Sequence, residues 1–260
     1  MMLSRRDIDI LTAGDEQDSS YVVVKDGCFD DIIDQIFDEV QLLRGRCRPA
    51  QMSRGDQTWQ DEYIRGDSLC WITTSLIQEL SLSGLAEFIE RMIRECDVLK
   101  SHLRLSSDYS IQFALYPGKG EGYNRHKDAF PVDPSSSGPS LESTRQLTCL
   151  LYLNRDWTPA DGGQLRVFTL PGVEMEGCGK PFSFWGVNGY DIDPHFGRLV
   201  VFRSTEVSHA VLPCFHGRAA LTLWIEGAGS QCSDKLTSGL SGNSKSVFMF
   251  SAESIQPDNS

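Results

Sequence analysis

The apolar positions of this chain change period partway along it, dividing the sequence into a helical front and a β-rich back. Between Cys28 and Leu43, the residues Phe29, Ile32, Ile33, Ile36, Phe37, Val40 and Leu43 recur at helical spacing. Such spacing lines one face of an amphipathic helix and leaves the acids on the other. From Thr74 to Leu99, Leu76, Ile77, Leu80, Leu85, Phe88, Ile89, Met92 and Ile93 predict a second long helix, weakened at Gly84. From Tyr109 the period drops to two. Ile111-Gln112-Phe113-Ala114-Leu115-Tyr116 alternates, and strands are predicted near 145–153, 163–168, 198–203, 207–212 and 218–225, after a short early one at Tyr21–Lys25. Short strands separated by turn signals indicate a sandwich or jelly roll, and the expected fold is α+β, mainly β: a double-stranded β-helix (jelly roll) core with supporting N-terminal helices.

The remaining segments set the expected boundaries. Residues 1–20 are polar and acidic and are expected to be a flexible N-terminus, followed by one folded domain over 21–227. Residues 228–260 are Ser/Gly-rich and read as a tail, interrupted by Val247-Phe248-Met249-Phe250. Gly45–Gln60, flanked or carried by Arg44, Arg46, Arg48 and Arg54, reads as a surface loop. The Pro/Ser-rich stretch 131–143 is expected at the mouth of the site, and Gly172–Gly189 is longer than a strand connection needs.

Charge and cysteines narrow the setting. A net charge of -12 argues against nucleic acid as a partner and favours a basic peptide or protein. The 8 cysteines are dispersed without Cys-x-x-Cys spacing, so reduced thiols in the cytoplasm, and also the nucleus, are expected. Asp7, Asp9, Asp15, Glu16 and Asp18 interrupt any N-terminal apolar core, and no apolar run is long enough to predict a membrane span.

The candidate chemistry lies in Tyr116-Pro117-Gly118-Lys119-Gly120-Glu121-Gly122-Tyr123-Asn124-Arg125-His126-Lys127-Asp128. On a strand, His126 and Asp128 point to the same side and can share a metal ion. A third ligand, His209, would complete the two-histidine, one-carboxylate triad of non-haem iron(II) oxygenases, which leaves coordination positions open. His195 and His216 compete for that role, but only His209 has an arginine, Arg218, nine residues on. Such an arginine can grip the far carboxylate of a dicarboxylate. Pro213-Cys214-Phe215-His216-Gly217 reads as a turn, so a hairpin is expected to carry Arg218 further along the pocket. The set spells an iron and 2-oxoglutarate dioxygenase, with His126, Asp128, His209 and Arg218 as its catalytic residues. Thr222, on the Arg218 strand face, could add a hydrogen bond.

These motifs resemble the prolyl hydroxylase domain family, the oxygen-sensing prolyl 4-hydroxylases and their protist and bacterial relatives. The matching stretches are Ile64-Arg65-Gly66-Asp67 with Trp71, Tyr116 to Asp128, Arg145 to Trp157, Gly162 to Phe168, Asp191 to Pro194, Arg198 to Phe202 and His209 to Trp224, over roughly residues 25–227. The resemblance implies Fe(II) as cofactor, 2-oxoglutarate and O2 as co-substrates, and ascorbate as reductant. It implies that Arg218, Tyr152, Tyr116 and Thr222 hold 2-oxoglutarate. Tyr123, Arg145 and Trp224 would line the substrate side, and Arg65 and Asp67 would anchor the base of a 45–60 loop that folds over a peptide. The expected product is 4-hydroxyproline in a protein: a transcription factor, a ubiquitin-ligase adaptor or a translation factor. Two other readings stay open, an oxygenase for another residue or a small molecule, and a non-catalytic jelly-roll binding module.

Overall fold

A computed structural model describes residues 2–14, 20–54, 57–129, 145–173, 175, 180–184 and 186–227. The helical front comprises α1 (Arg5–Thr12), α2 (Ile33–Gln41), α3 (Thr74–Leu80), α4 (Ser83–Cys96) and α5 (Lys100–Leu103). Among these run β1 (Val22–Lys25), β2 (Arg48–Pro49), β3 (Met52–Arg54), β4 (Gln57–Trp59) and β5 (Ser68–Trp71). The β-rich back then follows as β6 (Leu105–Tyr116), β7 (Glu121–His126), β8 (Arg145–Tyr152), β9 (Leu165–Thr169) and β10 (Lys180–Phe184). It continues through β11 (Val187–Ile192), β12 (Leu199–Arg203), β13 (Ser208–Cys214) and β14 (Arg218–Gly227).

Two antiparallel sheets carry most of these strands. The major sheet runs β1-β12-β8-β14-β6-β5-β2 and the minor sheet β10-β11-β9-β13-β7. Strand periodicity divides the packing. Leu147, Cys149, Leu151, Leu221 and Leu223 of the major sheet face the helices, meeting Phe29, Ile36, Leu85, Phe88 and Met92. Their alternates Leu150, Tyr152 and Ala220 turn the other way and pack on Leu165, Val167 and Ile192. This is the jelly roll of the sequence reading, with helices supporting one face.

Four expectations are corrected. The N-terminal acids do not keep residues 2–14 loose: α1 is capped by a Ser4–Asp7 capping box and buries Leu11, and Leu3 just before the cap is buried as well. Asp7, one of the acids of that segment, is paired with Lys25 at 2.5 Å. The Cys28–Leu43 helix is shorter than expected, starting at Ile33 after a turn. The Thr74–Leu99 helix is broken at Ser81, which adopts a left-handed φ of 53°. The following helix draws its N-terminal cap from α2, where Glu39 accepts 2.8 Å bonds from the Gly84 and Leu85 amides. Finally, β13 and β14 do not form a hairpin: the 215–217 turn carries the chain from the minor sheet to the major one.

The loop expected over 45–60 includes the small β3–β4 ribbon, and Gly172–Gly189 supplies the β10–β11 hairpin at the minor sheet's edge. The loop 131–143 and the tail 228–260 lie outside the described residues. No described helix is long and apolar enough to cross a membrane.

Candidate metal and co-substrate site

The two sheets leave a cleft between them, with about 510 Å³ of empty space that is partly open to solvent. On its minor-sheet wall, antiparallel pairing sets His209 of β13 directly opposite His126 of β7. The strand ends there, and Asp128 lies in the bend that follows rather than on the strand face. Its carboxylate nevertheless comes back to within 3.7 Å of His126 Nε2 and 3.8 Å of His209 Nε2. These separations exceed hydrogen-bond length. They suit three donors around a shared centre, and His126, Asp128 and His209 are the one such group among the described residues.

Each imidazole is held by its own backbone. His126 Nδ1 lies 2.7 Å from the Asn124 carbonyl, and His209 Nδ1 lies 3.1 Å from that of Val207. A carbonyl only accepts, so Nδ1 carries the proton and Nε2 presents a lone pair to the centre. Burial, with the His126 imidazole close by, pulls His209 down to about 4, which keeps it neutral at physiological pH. Burial disfavours the Asp128 charge, yet the neighbouring His209 and His126 hold the carboxyl well below the usual carboxylate range. Its second oxygen accepts a 2.7 Å bond from the Thr148 hydroxyl, which in turn lies 2.9 Å from Ser204 Oγ.

Tyr123 reaches this wall through an irregularity. Four residues of β7, from Tyr123 to His126, oppose three of β13, from Val211 to His209. Such a bulge lets side chains three apart share a face, and the Tyr123 ring stacks on His126 at 3.7 Å. Gly122 permits it, since a Cβ there would lie 2.6 Å from the Val211 carbonyl.

Arg218 opens β14 on the opposite, major-sheet wall. It is 5% exposed, its Nε donates to the Gly163 carbonyl at 2.8 Å, and its guanidinium lies 5.1 Å from the Tyr116 ring and 5.0 Å from the Tyr152 ring. The Tyr152 hydroxyl is fully buried without a hydrogen-bond partner, an omission that ordinarily costs about 1–3 kcal/mol. A carboxylate on Arg218 would satisfy it. Thr222 and Trp224 follow on the same face, and the Tyr123 hydroxyl and Trp224 Nε1 are likewise unpartnered.

The other expected residues sit around these. Arg65 and Asp67 form a buried two-pronged ion pair at 2.6 and 2.9 Å, and Arg65 lies over the Tyr123 ring. Arg145 stacks on Trp224 at 3.8 Å, and the Trp71 ring lies 5.8 Å from that indole. His195 packs edge-on to Trp157 and His216 stands in the inter-sheet turn, so neither joins the metal group. Thr148 and Gln112 were missed. Both are polar residues at inward positions of apolar strands, a signal present in the alternation itself.

This architecture and donor set define a class. Residues 111–226 match the model of the 2OG-Fe(II) oxygenase superfamily. Within that class its similarities run to prolyl hydroxylases. It is 32% identical over 207 residues to Egl nine homolog 1 of Rattus norvegicus, covering 78% of this chain and 54% of that protein. A prolyl-4-hydroxylase of Pseudomonas putida superposes with a TM-score of 0.63 at 28% identity, covering 85% of this chain and 97% of that one. A prolyl hydroxylase from Trichoplax adhaerens, solved with a hypoxia inducible factor oxygen degradation domain peptide fragment, gives 0.60 at 25%, covering 84% and 86%. The chain spans about half the length of the Egl nine homolog 1 proteins it matches. The family implies Fe(II), 2-oxoglutarate and O2, and the donor set fits the metal.

Proposed function

We propose that this protein is an Fe(II)- and 2-oxoglutarate-dependent dioxygenase that hydroxylates a prolyl residue of a protein substrate at the 4-position. The observation that carries the reading is the pairing of His126, Asp128 and His209 on one wall with Arg218 and the orphaned Tyr152 hydroxyl on the other. Similarity to prolyl hydroxylases of Homo sapiens, Pseudomonas putida and Trichoplax adhaerens supports the choice of proline.

In this reading His126, Asp128 and His209 hold the metal through two neutral imidazoles and one carboxylate. Bound iron with 2-oxoglutarate and O2 supplies the oxidation: the oxo acid becomes succinate and carbon dioxide, and one oxygen atom enters the substrate C–H bond. Arg218 takes the far carboxylate, helped by Tyr152, while Tyr116 and Thr222 line its path. Burial pushes the Tyr116 and Tyr152 hydroxyls upward, so both remain proton donors at neutral pH. Tyr123 and Trp224 offer their unpartnered O–H and N–H to the substrate, and the Arg65–Asp67 pair fixes the base of the 45–60 loop beside them. Arg145 acts through Trp224, which it braces. Ascorbate is the external reductant.

The substrate is a protein such as a transcription factor, a ubiquitin-ligase adaptor or a translation factor, and the enzyme reports oxygen supply from the cytoplasm or the nucleus. The 6 described cysteines are all free, which suits a reducing compartment.

The test is mass spectrometry of prolyl peptides from those three target types, incubated with iron(II), 2-oxoglutarate and ascorbate, with Asp128→Ala as control. One added oxygen on proline, matched by succinate and lost in the control, is the expected result. Succinate without peptide oxidation would move the reading to another substrate. Metal and 2-oxoglutarate binding without any turnover would make the protein a binding module.

A further inference from the structure

The major-sheet wall of the cleft is a ladder of paired side chains with alternating chemistry. Residues of β14 that share the cleft face are Arg218, Ala220, Thr222 and Trp224. Antiparallel pairing with β6 sets Tyr116 opposite Arg218, Ala114 opposite Ala220 and Gln112 opposite Thr222. An anion-gripping rung is therefore followed by a rung of two methyl groups and then by a second polar rung. Four residues of strand, about 13 Å, separate Arg218 from Thr222, and the Arg218 side chain spans part of that length.

Gln112 is out of place for an ordinary core strand. It is 6% exposed, it lines the cleft, and among the described residues neither its carboxamide nor the Thr222 hydroxyl makes a hydrogen bond. The carboxamide is not among the sealed, unpartnered polar atoms, so it reaches the open space of the cleft, where a ligand can meet it. The polar rung also lies toward the metal group. Asp128 bonds to Thr148, and Thr148 pairs across strands with Trp224, the rung next to Thr222.

We propose that Gln112 is a positioning residue for the co-substrate. Its amide N–H, with the Thr222 hydroxyl, donates to the metal-side carboxylate of 2-oxoglutarate. The carbon chain crosses the Ala114/Ala220 rung, and the far carboxylate rests on Arg218. The chemistry matches: a carboxylate only accepts, and this rung offers two unpaired donors. The inference rests on the proposed 2-oxoglutarate chemistry.

The test measures binding, not turnover. Calorimetric titrations with 2-oxoglutarate and with 2-oxobutyrate, which lacks the far carboxylate, are run on manganese-loaded protein. Wild type, Gln112→Met, Gln112→Glu and Arg218→Ala are compared. Gln112→Met should weaken both oxo acids by the same factor, about tenfold, the size of one hydrogen bond to a charged group. Gln112→Glu, which adds a charge facing the carboxylate, should weaken both further. Arg218→Ala should penalise 2-oxoglutarate alone, erasing its advantage over 2-oxobutyrate. Normal binding of both acids by Gln112→Met and Gln112→Glu would overturn the proposal and leave the dioxygenase reading intact. No binding of 2-oxoglutarate by wild type would remove both. Melting curves separate lost affinity from lost fold, and a variant that melts early is replaced in the comparison by the other.

Discussion

The Thr148 hydroxyl donates a 2.7 Å hydrogen bond to the Asp128 carboxylate from a strand that carries neither histidine. Asp128 sits in a bend past the end of β7, where the ladder no longer fixes its direction. Thr148, itself against Ser204, is the group that does so from across the cleft.

Thr148→Val should therefore weaken binding of manganese(II) to the apoprotein by about 10- to 100-fold, the usual effect of losing a group that orients a metal ligand. Thr148→Ser keeps the hydroxyl and should retain most of the affinity. Equal loss in both variants would assign Thr148 to packing alone.

Tyr152→Phe should raise the KM for 2-oxoglutarate by roughly tenfold, consistent with one lost bond to a charged group, while leaving the KM for peptide unchanged. Arg218→Lys should cost more. It gives up the planar fork and the bond to the Gly163 carbonyl together. Steady-state kinetics with each substrate varied in turn decides both cases.

Gly163 takes a φ of +74°, and a Cβ there would lie 2.9 Å from both Arg218 Cδ and Cys214 Sγ. Gly163→Ala should destabilise the fold by about 1–3 kcal/mol through backbone strain and shift the arginine that Gly163 buttresses. Urea unfolding and the 2-oxoglutarate dissociation constant should change together.

Acid should loosen the metal-free protein in a defined window. The His209 pKa is depressed from 6.5 to about 4 by burial. Between those values the unfolded chain binds a proton that the folded chain refuses. Stability contributed by neutral His209 is thus present above 6.5 and is lost as pH falls toward 4. Melting temperature across pH 4–7 should slope downward on the acid side, and His209→Asn should flatten that slope.

Leu11, fully buried on α1, tests the N-terminal correction. Leu11→Ala should cost about 2–5 kcal/mol, as for any large-to-small change in a core. A loose N-terminal segment would show almost none, and chemical denaturation distinguishes the two.

Local periodicity carried the fold class, because a switch from helical to two-residue spacing is written directly in the positions of Phe29 to Leu43 and Ile111 to Tyr116. The donor set was legible for a different reason: His126, Asp128, His209 and Arg218 are chemically unusual at their spacing. What stayed hidden depends on distant partners. Glu39 caps a helix that begins 44 residues later in the chain. The β13–β14 turn looks like a hairpin locally, and only the closure of two sheets sends its arms apart. The bulge that swings Tyr123 over His126 is a property of the pairing with β13, not of β7 alone. Gln112 and Thr148 were readable as inward polar residues, but alternation says which way a side chain points and not what it meets.

The division of the site between two sheets has a further consequence. The metal group hangs largely from β7 and β13, while Arg218 is fixed in β14. The span between the two ends is therefore set by how the sheets stack, a spacing of about 10 Å that core packing makes stiff. The protein works as a gauge for chain length: an oxo diacid one methylene shorter or longer cannot seat both ends without bending. Affinity across such a series should peak at five carbons, with the calibration written in the core residues that hold the sheets apart.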